Sequence, residues 1–158
     1  MPDASTIKFY LSGGSGNADP DLSLGGSRSN TVLLDGVATL FDHIRTEDFE
    51  DTPITAYRCI YLYNSGIDSF SSLEINFSAT STLMSTQIAY GDLNVIQSII
   101  PNQTISPGLT FGVDSKSIPL FLSGNFLGIW LKRDVLELDD PGIIENSFTL
   151  DVSFKPYM

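Results

Sequence analysis

The feature that most limits what this chain can fold into is a two-residue alternation of apolar and polar side chains, found at two places far apart in the sequence. Leu73, Ile75 and Phe77 alternate with Glu74, Asn76 and Ser78, and Phe148, Leu150, Val152 and Phe154 alternate with Thr149, Asp151, Ser153 and Lys155. Successive side chains of an extended strand point to opposite faces, so each segment is a strand with one wet and one dry face. Two other segments are apolar on both sides. Residues 55–64 set Tyr57, Cys59, Tyr61 and Tyr63 against Ile60 and Leu62, and residues 126–135 set Leu127, Ile129 and Leu131 against Phe126, Gly128 and Trp130. Strands of that kind must be covered on both faces. Shorter strands are predicted over 31–34, 86–90, 108–113 and 118–122, with Pro101, Pro107 and Pro119 as punctuation, and 37–41 reads as a helical turn or another strand. With no amphipathic helix and no internal repeat, the pattern predicts an all-β chain, a β-sandwich of immunoglobulin-like or jelly-roll-like kind.

The first fifty or so residues are built differently. After the apolar piece Ile7 to Leu11, the run Ser12-Gly13-Gly14-Ser15-Gly16-Asn17-Ala18-Asp19-Pro20 and then Ser23-Leu24-Gly25-Gly26 sustains neither strand nor helix periodicity. It reads as an extended Gly-rich N-terminal arm. Asp42, Glu47, Asp48, Glu50 and Asp51 follow as an acidic loop around Arg45. The division expected is therefore an arm and acidic loop over 1–53 and a β-sandwich domain over 54–158.

Charge narrows the partners. Nineteen acidic against eight basic side chains give a formal charge of -11, and residues 1–53 hold nine of the acids and three of the bases. Eight scattered cations make no patch for phosphates, so nucleic acid and anionic membrane surfaces are excluded as partners. The longest apolar runs, such as Ile60-Tyr61-Leu62-Tyr63, have strand length and are far too short for a membrane helix. The opening Met1-Pro2-Asp3-Ala4-Ser5 lacks the basic start and apolar core of a signal peptide, which points to synthesis in a cytosol. Cys59, the one cysteine, leaves no intramolecular disulfide.

The inventory for catalysis is thin. His43 is the one histidine and sits among the acidic residues, away from any apparent nucleophile, and Cys59 lies within an apolar strand where a thiol behaves as a small hydrophobe. One His and one Cys do not make a zinc site. Gly13, Gly14 and Gly16 lack the Gly-Lys-Ser/Thr ending of a phosphate loop. Asp19, Asp21, Asp139, Asp140 and Glu145 offer hard oxygen ligands for calcium, but without EF-hand spacing. The expectation is a chain with no catalytic residue, no cofactor and no metal site, and not an enzyme. A stripe of Tyr57, Tyr61, Tyr63 and Trp130, if exposed, would stack on sugar rings; otherwise it fills a core or a subunit interface.

Lys8-Phe9-Tyr10-Leu11-Ser12-Gly13-Gly14, continuing through Asn17-Ala18-Asp19-Pro20 to Ser23-Leu24-Gly25-Gly26, resembles the opening of a group of small virion-associated proteins encoded in the structural gene clusters of tailed bacteriophages. Leu40-Phe41-Asp42 and Tyr57-Arg58-Cys59-Ile60-Tyr61-Leu62-Tyr63-Asn64 fit the same resemblance, which covers mainly residues 7–66. It implies a virion component and supplies no catalytic residues. On that basis the leading expectation is a decoration or cement protein on the exterior of a phage capsid, a homo-oligomer contacting the major capsid protein or other virion proteins. Phe9, Leu11, Leu22, Leu24, Tyr57, Tyr61, Tyr63 and Trp130 are the expected interface, with the arm lying across a neighbour. The alternatives are a tail, baseplate or adaptor protein, and a carbohydrate-binding module at the host-facing surface.

Overall fold

A computed structural model describes residues 4–33, 40, 44–45, 55–79, 84–135, 143–144 and 148–156. Ten strands run through them: β1 (Ile7–Ser12), β2 (Arg28–Val32), β3 (Ile44–Arg45), β4 (Thr55–Asn64), β5 (Phe70–Ala79), β6 (Met84–Leu93), β7 (Ser115–Phe121), β8 (Phe126–Val135), β9 (Ile143–Ile144) and β10 (Phe148–Pro156). A five-stranded sheet in the order β2-β1-β4-β8-β6 packs on a three-stranded sheet in the order β10-β5-β7, and β3 with β9 makes a separate ribbon. Every pairing is antiparallel. The architecture is a β-sandwich.

Its core lies where the alternation puts it. Ile60 and Leu62 of β4 and Leu127, Ile129 and Leu131 of β8 meet Leu73, Ile75 and Phe77 of β5, all nearly or fully removed from solvent. Burying one such aliphatic side chain contributes about 1.5–3 kcal/mol. The wet face of β5 carries Glu74, Asn76 and Ser78, as the alternation requires. Near its start, β5 departs from strict alternation. Ser72 adopts φ 52°, the pairing with β10 shifts by one residue there, and Phe70 and Leu73, three positions apart, both point inward. Pro119 falls on β7, an edge strand, the place in a sheet where proline is tolerated.

Three expectations need correction. Residues 7–33 are not an arm outside the sandwich: β1 pairs with β4 from Ile7↔Asn64 to Leu11↔Ile60, and β2 extends the same sheet. Leu11 is buried in the core, and Ile7 and Phe9 pack against it, because their alternation gives β1 one dry face that a free arm would leave wet. A domain boundary at residue 53 therefore cuts through one sheet. The strand expected over 31–34 begins earlier, at Arg28. The strand expected over 108–113 does not form, since Pro107, Gly108 at φ 81° and Gly112 at φ 110° bend the chain out of the extended conformation. Of the helical turn or strand expected over 37–41, only the buried Leu40 is described. Of the acidic loop, only Ile44–Arg45 is described, paired with Ile143–Ile144.

Candidate functional site

The outer face of the five-stranded sheet carries the residues on which the sequence placed most weight. Tyr57, Cys59 and Tyr61 of β4, Ala89 of β6 and Trp130 of β8 form a second buried cluster with Ile100. Trp130 is 1% and Tyr61 0% exposed. The aromatic stripe is thus not a platform for sugar rings. It is roofed by two segments of the same chain, residues 12–27 and 93–113.

The first segment is fastened by polar side chains. β1 ends at Ser12, so the backbone of β4 at Cys59 loses its strand partner. The Cys59 N–H donates instead to the Ser23 carbonyl at 2.7 Å, and the Cys59 carbonyl accepts from both Ser12 Oγ (2.7 Å) and Ser23 Oγ (2.6 Å). Ser12 N donates to Ser23 Oγ, and Gly25 N to Ser12 Oγ. Further out, Gly14 N donates to the Ser27 carbonyl, Asn17 Nδ2 donates to the Ser12 and Asp19 carbonyls, and Ser29 and Thr31 hydroxyls donate to the Asn17 carbonyl. This is a hairpin loop held by its own side chains.

The second segment is anchored at Gln97. Trp130 Nε1 donates to Gln97 Oε1 at 3.0 Å, Gln97 N donates to Tyr61 Oη at 2.8 Å, and Tyr61 Oη donates to the Gly26 carbonyl. Gly26 N in turn donates to the Gln97 carbonyl at 2.8 Å, tying the two roofing segments together. The Gln97 side chain lies in a trough that exists because Gly91 and Gly128 have no Cβ; one added at either would fall well inside van der Waals contact with it. Every polar atom of this knot shown here has a partner, as a buried amide and phenol require.

Burial also settles what Cys59 and Tyr61 can do. Burial pushes the Cys59 thiol from its ordinary 9.0 up to about 12, and the Tyr61 phenol from 10.0 up to about 12. The thiol is not a nucleophile near neutral pH. Asp19 and Asp21 are already engaged: Asp19 Oδ1 accepts from Asp21 N, and Asp21 Oδ1 lies 3.0 Å from Nη2 of the buried Arg58. Among the described residues no group of three or more His, Cys, Asp or Glu side chains is placed to hold a metal. His43, Asp42, Glu47, Asp48, Glu50, Asp51, Asp139, Asp140 and Glu145 lie outside the described residues.

The expected interface residues therefore scatter. Tyr57, Tyr61 and Trp130 are under the roof, and Leu11 is in the core. Phe9 packs against the core, and Leu24 against the outer cluster. Tyr63 is half-buried, with the Arg28 guanidinium 3.9 Å from its ring centre and 4.7 Å from that of Tyr10. Leu22 alone of the set is strongly exposed.

The surface that stands out is one the alternation pattern missed. Val95, Ile96, Ile99, Ile105 and Leu109 are all exposed, Ile99 to 71%, and they line a groove of about 600 Å³ floored by Gln97 and Trp130. A simple signal marks this segment in the sequence: between Asp92 and Asp114 there is no Asp, Glu, Lys or Arg. Comparison of the chain with family models, with curated proteins and with solved structures found no match.

Proposed function

We propose that this chain is a non-catalytic structural protein of a tailed-bacteriophage particle, a decoration or cement protein on the capsid exterior. One observation carries the assembly part of this reading: a groove bordered by exposed aliphatic side chains from a stretch without charged residues, on a chain of net charge -11. Contiguous apolar patches of several hundred Å² are rare on monomers and mark interaction surfaces. The phage placement is supported by the resemblance of Lys8 to Gly14 and Tyr57 to Asn64 to virion-associated proteins, and the exterior location by the acidity, which repels packaged DNA. The glycan-binding alternative loses its support, since it needed Tyr61 or Trp130 at the surface.

The test is to purify particles, strip them in stages and quantify this chain by mass spectrometry. The reading expects it on the head, in hundreds of copies, released before the shell opens. A few copies confined to the tail would favour a tail, baseplate or adaptor role, and absence from particles would overturn the virion role altogether.

A further inference from the structure

We propose that the 93–113 face is a self-association surface, where two copies of this chain pack about a two-fold axis and each seats its Ile99 lip in the other's groove. The proposal rests on the assembly reading above and names the partner at that same surface. Three features select a second copy over another occupant.

The first is charge. Two copies each carrying -11 repel wherever acidic surfaces meet, and the twenty-one residues between Asp92 and Asp114 form a charge-free stretch at which they meet without that cost. A basic partner would be drawn to the acidic surfaces instead, since the groove offers it one carboxylate, that of Asp92 at the edge of the charge-free stretch.

The second is shape. A two-fold contact uses one patch twice, so the patch must carry both a projection and a recess. Here Ile96 and Ile99, 60% and 71% exposed, are the most exposed of the aliphatic side chains around the recess that they share with Val95, Ile105 and Leu109. With Val113 included, these side chains expose roughly 500 Å² per copy, so a pair buries on the order of 1,000 Å², the lower bound for a specific interface.

The third is hydrogen bonding. Four of the segment's backbone donors are spent within the chain: Gly112 N on the Ile88 carbonyl, Ile100 N on the Leu24 carbonyl, Val95 N on the Asp92 carbonyl and Ile105 N on the Asn102 carbonyl. At those positions an added strand finds no donor, which favours an occupant that brings apolar side chains, as a second copy does.

Sedimentation of the full chain over a range of concentrations, at about 50 mM and about 500 mM salt, tests this. The expected result is a monomer–dimer equilibrium strengthened by salt, because screening relieves the repulsion between like-charged copies. Ile99→Asp and Ile96→Asp each weaken it at least tenfold with an unchanged circular dichroism spectrum, whereas Leu22→Asp, equally exposed but on the other roofing segment, leaves it unchanged. A monomer at every concentration, a dimer indifferent to Ile99→Asp and Ile96→Asp, or a dimer weakened by salt would each overturn the proposal. Its failure is separable from that of the particle assignment: a monomeric chain recovered from particles overturns self-association alone, and a dimer absent from particles overturns the virion role alone.

Discussion

Residues 12–27 and residues 93–113 cross the outer face of the same five-stranded sheet and do the same first job, covering Tyr57, Cys59, Tyr61 and Trp130. They are built from opposite materials. The first is Ser, Asn and Gly, and its hydroxyls and amides turn inward onto backbone groups that β1 leaves unpaired past Ser12. The second is held over the tryptophan by Gln97 and at its start by Asn94, which accepts from Phe126 N and donates to Asn125 Oδ1, and it turns Val95, Ile96 and Ile99 outward. A segment that satisfies its polar groups internally and shows little apolar surface is complete as it stands. A segment that leaves aliphatic surface in water has hydrophobic free energy still to release, and a partner releases it.

The largest effect that would sharpen this contrast is at the floor both segments share. Trp130→Ala should destabilise the fold by about 4 kcal/mol in urea titration, the range for removing a buried tryptophan, with Gln97 left without its donor. An effect below about 1 kcal/mol would mean the roof is not packed as described. Next comes the trough under Gln97. Gly128→Ala should cost about 2 kcal/mol on its own and clearly less in a Gln97→Ala background, since the added Cβ collides with that side chain. Additive costs would show that the strain lies elsewhere.

Smaller effects test the polar fastening of the first segment. Ser12→Ala and Ser23→Ala should each cost about 1 kcal/mol, and together more than their sum, because either hydroxyl alone still serves the one Cys59 carbonyl and removing both leaves it without a side-chain donor. Beneath them, the Cys59 thiol should resist a disulfide reagent at pH 8 until the protein opens. Its raised value also sets a pH trend. Between pH 9 and about 12 the unfolded thiol has lost its proton while the folded one keeps it, so stability falls as pH rises through that window, and falls less steeply in Cys59→Ala. Smallest of all, Ile99→Asp should change monomer stability by no more than about 0.5 kcal/mol, since its side chain is mostly in water.

The same contrast explains what the sequence revealed and what it concealed. Strands β4, β5, β8 and β10 were readable because burial on one or both faces writes itself into side-chain alternation, and even the two-sided burial of residues 55–64 was visible. Alternation does not say what covers a face. The residues alone left Tyr61 and Trp130 as a sugar platform, a core or an interface, and the answer lay in Gln97 and Ser23, whose bonds run to groups distant in sequence and leave no periodic trace. The Gly-rich stretch read as an arm for the same reason, because Asn17, Ser12 and Ser23 order it through side-chain-to-backbone bonds. Leu109, Thr110 and Phe111 have strand-forming side chains, but the positive φ at Gly108 and Gly112 overrides that preference. The absence of charge from 93 to 113 was readable throughout, and it takes on meaning only once these residues are seen at the surface.

Hydrogen exchange read by mass spectrometry, on the same protein diluted to monomer and concentrated to saturation, tests most directly the claim that one roofing segment is finished and the other awaits a partner. The account predicts added protection on concentration confined to peptides from 93–113, with those from 12–27 unchanged. Added protection in 12–27, or none in 93–113, would contradict it.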